Sequence, residues 1–190
     1  MAGYSSIVTR ALVVVILLAG CQRSTEPPVA ISPDPDVMLP DVPSDPFGTP
    51  GQAYERLRQI TDDARTTSWS GQVQELAAWL EGETTAVEQS LTLMKTLRLG
   101  ASDVYAVANG RIALVYEHIA STLTEAEVLV KDRDSELDLD WIGQQAVLWE
   151  RANAFWARCA RGCSSGGPYL DVWELRCRAG ADETSAKFGP

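Results

Sequence analysis

The chain has 190 residues, and its 26 acidic side chains outnumber the 16 basic ones to give a net charge of −10. This charge argues against nucleic acid as a partner and against binding of the protein surface to anionic lipid headgroups, because both partners are negatively charged. The length fits one folded domain with an extension.

An apolar stretch near the N-terminus follows Arg10 and runs from Ala11 to Leu18. It is too short to span a bilayer, which takes about 20 apolar residues, and it has the length of the apolar region of a signal peptide. Two small residues and Cys21 follow it. The sequence LAGC, which ends at Cys21, resembles the lipobox of bacterial lipoproteins.

This resemblance implies that residues 1–20 are a signal peptide, that the thiol of Cys21 receives a diacylglycerol and that the new N-terminus is acylated. The acyl chains would anchor the protein to a membrane, since each buried methylene contributes about 0.8 kcal/mol. Gln22 stands where inner-membrane lipoproteins usually carry Asp, so the resemblance favours the outer membrane. The mature chain would hold 15 basic and 26 acidic side chains, a net charge of −11.

Residues 21–48 are predicted to be the acylated N-terminus and a disordered tether. Eight of the ten prolines and four aspartates lie between residues 22 and 50. Proline favours the extended polyproline II conformation, and like charges extend a chain further. At about 3.1 Å per residue the tether could reach roughly 90 Å.

Residues 49–180 are predicted to form an all-α bundle of four or five helices, because apolar side chains recur at helical spacing and no strand-like alternation appears. The first helix should begin at Thr49, an N-cap residue before Pro50, and end near Thr66. The second is expected over residues 70–99, with a kink or break near Gly82.

A third helix is expected from Ser102 to about Val130, or with a pause at Thr124, because Ser is a favourable N-cap residue. The fourth should begin between residues 135 and 140 and end near Arg161. A short helix over residues 170–177 should fold back on the bundle. Residues 181–190 are predicted to be a loose C-terminal tail.

Two tryptophans mark the most aromatic part of the chain. Trp149 and Trp156 lie seven residues apart, in line with Ile142. A stripe with this spacing is typical of a helix buried in a bundle, so packing is favoured over a ligand groove.

Three cysteines follow Cys21, and export permits disulfides. Either Cys159 or Cys163 can pair with Cys177. The pair Cys163–Cys177 is preferred, because Cys163 is placed in the loop after the fourth helix, where it is freer to meet the geometry of the bond. A zinc site is not supported, since His118 is the only histidine.

The sequence has none of the common catalytic or nucleotide-binding motifs. The carboxylate pair Asp62-Asp63 lies in charged surroundings rather than in an apolar pocket, so an acid–base role has no support. We therefore expect a protein that is not an enzyme and that needs no cofactor or metal.

The last third of the chain also resembles small helical bacterial lipoproteins that inhibit lysozyme. The shared order of residues is Gln145, Trp149, Arg151, Cys159, Gly166-Gly167 and Cys177. The spacings differ, so no inhibitory residue is carried over. The predicted function is a membrane-anchored module of the envelope that binds a protein partner or gives structural support. The alternative is an inhibitor of a cell-wall hydrolase such as lysozyme.

Overall fold

The computed structural model describes residues 39–42, 49–132, 144–164 and 168–188. These residues form five helices and no strand, so the all-α prediction is confirmed. Signal peptide, Cys21 and most of the predicted tether lie outside the described residues, as does the predicted start of the fourth helix. The helices are α1 (Thr49–Thr66), α2 (Val73–Leu97), α3 (Ser102–Asp132), α4 (Gln144–Cys163) and α5 (Pro168–Phe188).

Helix α3 is the centre of the bundle. Residues 106–116 of this helix are all buried, because it contacts every other helix. The pair α1–α2 and the pair α4–α5 are each packed together and each contact α3. A helix that is apolar on all sides, as most of this stretch is, is stable only when neighbours surround it.

Helix α1 has the bounds predicted from its capping residues. The break expected at Gly82 is wrong, since α2 is continuous from Val73 to Leu97. Gly82 lies on the exposed face, where its cost to the helix is only about 1 kcal/mol. The buried stripe of α2, which includes Leu76, Val87 and Met94, outweighs this cost.

Helix α3 also runs without a pause. The hydroxyl of Thr124 donates to the carbonyl oxygen of Ala120 at 2.8 Å, so it bonds within the helix instead of capping a new one.

The loose tail predicted for residues 181–190 is wrong for residues 181–188, which are part of α5. Thr184 is buried, and its hydroxyl donates to the carbonyl oxygen of Gly180 at 2.6 Å. The side-chain amide of Asn153 on α4 donates to the carbonyl oxygen of Ala181 at 2.6 Å. Small and polar residues thus hold the C-terminal part of α5 against α4. Because such residues form no apolar stripe, the sequence pattern did not indicate a helix here.

The tryptophans of α4 pack in the core, as predicted. Trp156 is fully buried and Trp149 is 8% exposed. The indole nitrogen of Trp156 donates to Oε1 of Glu117 on α3 at 2.7 Å, so the polar atom of the buried ring has a partner.

Among the described residues, none of the helices combines the length and the apolar character needed to cross a membrane.

Candidate functional site

Residues 39–42, which we call the strap, lie against the bundle. Val42 is buried, and Leu39 is half-buried and packs against the core. The prediction of a disordered tether is therefore wrong for these four residues. The prediction was based on the charge and proline content of the whole tether. The strap is ordered because side chains that are distant in the sequence contact it.

The backbone of the strap is bound by α5. The indole nitrogen of Trp173 donates to the carbonyl oxygen of Pro40 at 2.8 Å. Proline has no backbone N–H, so this carbonyl is its one backbone hydrogen-bonding group. Trp173 is fully buried, which means that the bond also satisfies the polar atom of a core residue.

Three side chains of the bundle contact the carboxylate of Asp41. Its Oδ1 accepts hydrogen bonds from the Tyr54 hydroxyl at 2.7 Å and from Nη2 of Arg111 at 3.1 Å. Its Oδ2 lies 3.2 Å from Nε of Arg58. Two guanidinium groups and a phenol therefore converge on one carboxylate. We call Tyr54, Arg58, Arg111 and Trp173 together the strap site.

Arg111 is the central cation of the strap site, and its side chain is only 8% exposed. Its Nη1 bonds to Oδ1 of Asp62 at 2.9 Å, and its Nε donates to the Tyr54 hydroxyl at 3.1 Å. The guanidinium also lies near two aromatic rings, 5.9 Å from the centroid of Tyr54 and 5.7 Å from that of Trp173. A buried cation requires such partners, because its desolvation is costly.

The pKa shifts of Tyr54 and Arg111 favour one protonation state for each group near neutral pH. Burial raises the pKa of Tyr54 well above its usual range, although the positive charge of Arg111 opposes this shift. For Arg111, burial lowers the pKa, but Tyr54, Asp62 and Asp41 more than offset it, and the net shift is upward. A fixed cation beside a neutral hydroxyl suits recognition of a carboxylate rather than acid–base catalysis.

Sequence reasoning missed the strap site, although one signal for it was present. Arg111 is the only charged residue between Val104 and Tyr116. A single charge inside a long apolar helical stretch indicates a buried cation that needs an acidic partner. The sequence does not identify that partner, because Asp41 lies 70 residues away.

A second, half-buried ion pair joins α3 to α5. Nη2 of Arg176 lies 2.8 Å from Oε2 of Glu117, and its guanidinium lies 4.4 Å from the ring centroid of Trp156. Burial raises the pKa of Glu117, while Arg176 and the bond from Trp156 oppose the shift. This pair fixes α5 across α3 and α4.

The cysteines pair differently from the preferred prediction. Cys159 and Cys177 form the disulfide, with Cα atoms 5.8 Å apart, and Cys163 is a free, buried cysteine. The premise that Cys163 lies in a loop is wrong, because α4 extends through it. Cys177 lies nine residues into α5, about 13 Å along the helix axis. Cys159 lies one turn before Cys163, which is the last residue of α4. Its position along the helix axes is therefore closer to that of Cys177.

Cys163 remains close to the disulfide without belonging to it. Its Sγ lies 3.8 Å from Sγ of Cys159. Burial is the main cause that raises the pKa of Cys163 to about 11, and the nearby carboxylates of Glu174 and Asp103 contribute to the same shift. The thiol is thus protonated and weakly nucleophilic at neutral pH.

The three cysteine sulfur atoms lie within 4.8 Å of one another, which is compact enough for metal ligands. Two of them are joined in the disulfide, so only Cys163 could offer a thiolate in this state. The expectation that no metal is needed stays a prediction.

The remaining sequence candidates have structural contacts. His118 is half-buried, with Nε2 at 3.2 Å from the carbonyl oxygen of Thr67 and its ring edge-on to Trp79. Asp62 belongs to the network of Arg111 rather than to a carboxylate pair with Asp63.

Comparison of the chain with models of protein families, with curated proteins and with solved structures finds no match. The function proposed for the chain therefore depends on its own residues and their geometry.

Proposed function

We propose that this chain is a lipid-anchored protein of the bacterial cell envelope, held to the outer membrane by acyl chains on Cys21. Its helical bundle binds a protein partner or gives structural support. The observation that carries the proposal is the sequence LAGC after a short apolar stretch, with its resemblance to a lipobox.

The strap supports a role in which the bundle is held near the membrane at a limited distance. If Cys21 is the anchor, only the 17 residues 22–38 separate it from the strap. In the polyproline II conformation, at about 3.1 Å per residue, they would span about 50 Å. Docking of residues 39–42 thus shortens the reach of the bundle well below the roughly 90 Å of a fully free tether.

The acidic character of the mature chain favours a basic partner, since opposite charges steer association. For this reason inhibition of a basic cell-wall hydrolase such as lysozyme is the second candidate. The residue order shared with lysozyme inhibitors adds little support, because two of its members have structural contacts. The side-chain amide of Gln145 donates to the Leu123 carbonyl oxygen at 3.2 Å, and Cys159 forms the disulfide.

The anchor is tested by fractionation of cells that express the wild-type chain or Cys21→Ser. We expect the wild type in the outer-membrane fraction after a high-salt wash, with acyl chains on the N-terminal peptide by mass spectrometry. Cys21→Ser should be soluble or unprocessed, and Cys163→Ser, the control, should fractionate as the wild type. An unmodified Cys21 in the mature wild-type protein would overturn the proposal.

The partner is tested by crosslinking in intact envelopes, followed by mass spectrometry of the linked peptides. The purified protein is also added to lysozyme during hydrolysis of peptidoglycan. Unchanged hydrolysis together with a specific crosslinked protein supports a binding module. A dose-dependent loss of hydrolysis supports the inhibitor instead.

A further inference from the structure

Three successive residues of the strap contact the bundle, each through a different chemical group. Trp173 binds the carbonyl oxygen of Pro40, the cations bind the carboxylate of Asp41, and the core buries the side chain of Val42. Each contact uses a feature that the triplet Pro-Asp-Val provides. These contacts to a backbone carbonyl, a carboxylate and an apolar side chain are those expected of a site for a short peptide segment, in which proline limits the entropy lost on binding.

The sequence contains this triplet twice. Pro35-Asp36-Val37 precedes Pro40-Asp41-Val42 by five residues, so the chain itself carries a second segment with the same three groups in the same order. The residue before each triplet differs. Leu39, which packs against the core, precedes the docked triplet, whereas Asp34 precedes the upstream one.

We propose that the strap site is a recognition site for extended Pro-Asp-Val segments, and that Pro35-Asp36-Val37 is its second ligand. The upstream triplet binds when residues 40–42 leave, with its proline carbonyl at Trp173 and its carboxylate at Arg111. The charge of the strap site favours this exchange over an empty state, because departure of Asp41 leaves the buried cation of Arg111 with one carboxylate fewer.

The docked triplet is the better of the two ligands. The upstream triplet loses the apolar contact of Leu39 and brings a charged residue in its place. The connection to α1 becomes five residues longer, which costs little, because loop-closure entropy grows only with the logarithm of length. Exchange of the triplets shortens the chain before the strap site by five residues, about 16 Å in an extended conformation.

The readout for this proposal is the indole N–H of Trp173 in the full mature chain. The six tryptophans give six indole signals in a ¹H–¹⁵N spectrum, and Trp173→Phe assigns the one of interest. A bonded indole exchanges slowly with water, whereas a released one exchanges faster.

The deciding comparison is between Asp41→Ala and the double variant Asp36→Ala/Asp41→Ala. We expect Asp41→Ala to keep the Trp173 signal protected, because the upstream triplet replaces the lost one. The double variant should exchange at least about tenfold faster. The control Asp34→Ala/Asp41→Ala removes the same charge outside the triplets and should match Asp41→Ala.

Equal exchange in Asp41→Ala and in the Asp36 double variant, whether fast or slow, overturns the proposal. So does a control that behaves like the Asp36 double variant. Protection that is lost on dilution of Asp41→Ala assigns the second ligand to another copy of the chain and also overturns it. Circular dichroism measures the helix content of each variant. If an alanine substitution lowers the helix content, the comparison is repeated with the isosteric changes Asp36→Asn and Asp41→Asn.

Discussion

Nη2 of Arg111 lies 3.1 Å from Oδ1 of Asp41, although 70 residues separate the two in the sequence. The ion pair joins the N-terminal half of α3 to a segment that was predicted from composition to belong to a disordered tether. Through Asp62 the same guanidinium also reaches α1. One buried cation thus holds together three parts of the chain.

Replacement of Arg111 by Ala is expected to lower the free energy of unfolding by about 2–3 kcal/mol. The change removes a buried cation that lies near two aromatic rings and leaves carboxylates that are partly hydrated, so the cost is below the maximum for a buried pair. The control is Arg58→Ala, since Arg58 pairs with Asp41 but is 31% exposed and should contribute less than about 1 kcal/mol. Urea denaturation measures both. An equal cost for the two variants would contradict the central role of Arg111.

The disulfide is expected to link Cys159 to Cys177, with Cys163 free. Peptide mapping without reduction should recover the 159–177 link, and thiol labelling should reach Cys163 only after unfolding. Cys177→Ser should cost about 3 kcal/mol, because the bond closes a loop with a sequence separation of 18. Cys163→Ala, the matched control, keeps the bond and should cost less. Recovery of a 163–177 link in the wild type would refute the assignment.

The same substitution is expected to have opposite effects at two glycines. A Cβ at Gly82 would meet nothing within 4 Å, so Gly82→Ala should stabilise the protein by about 0.5–1 kcal/mol through helix propensity. A Cβ at Gly180 would lie 2.5 Å from Cε2 of the buried Trp156, so Gly180→Ala should destabilise it by about 1–3 kcal/mol. Thermal melts of both variants measure the difference. Changes of the same sign would contradict the packing of α5 on Trp156.

Glu83 is expected to make stability depend on pH. Its side chain is buried, and its Oε2 has no hydrogen-bond partner among the described residues. Burial raises its pKa from 4.5 to about 7. The folded state thus favours the neutral acid. The contribution of Glu83 to the stability of the folded state is fully present below about pH 4.5 and is lost as the pH rises through 7.

Glu83→Gln should therefore be more stable than the wild type by about 1–3 kcal/mol at pH 8, while the two converge near pH 4. Denaturation across this pH range tests the difference. Glu88→Gln, an exposed change on the same helix, should not alter the profile. A constant difference between Glu83→Gln and the wild type at all pH values would show that the carboxyl is not buried in neutral form.

Local patterns in the sequence determined the helices and much of the core. The residues Thr49-Pro50 predicted the start of α1, and Ser102 is the first residue of α3. The seven-residue spacing of Trp149 and Trp156 predicted their burial. Capping and periodicity act within a few turns of one helix, so they can be read from neighbouring residues alone.

Only the tertiary structure decided which distant groups meet. The choice of Cys159 over Cys163 depends on the relative height of α4 and α5, and the helical state of residues 181–188 depends on Asn153 of a neighbouring helix. The docking of the strap depends on the ion pair between Arg111 and Asp41. The sequence indicates that a buried Arg111 requires an acidic partner, but it does not identify Asp41 as that partner. Such contacts are set by the packing of whole helices against one another, and a linear pattern contains no measure of that geometry.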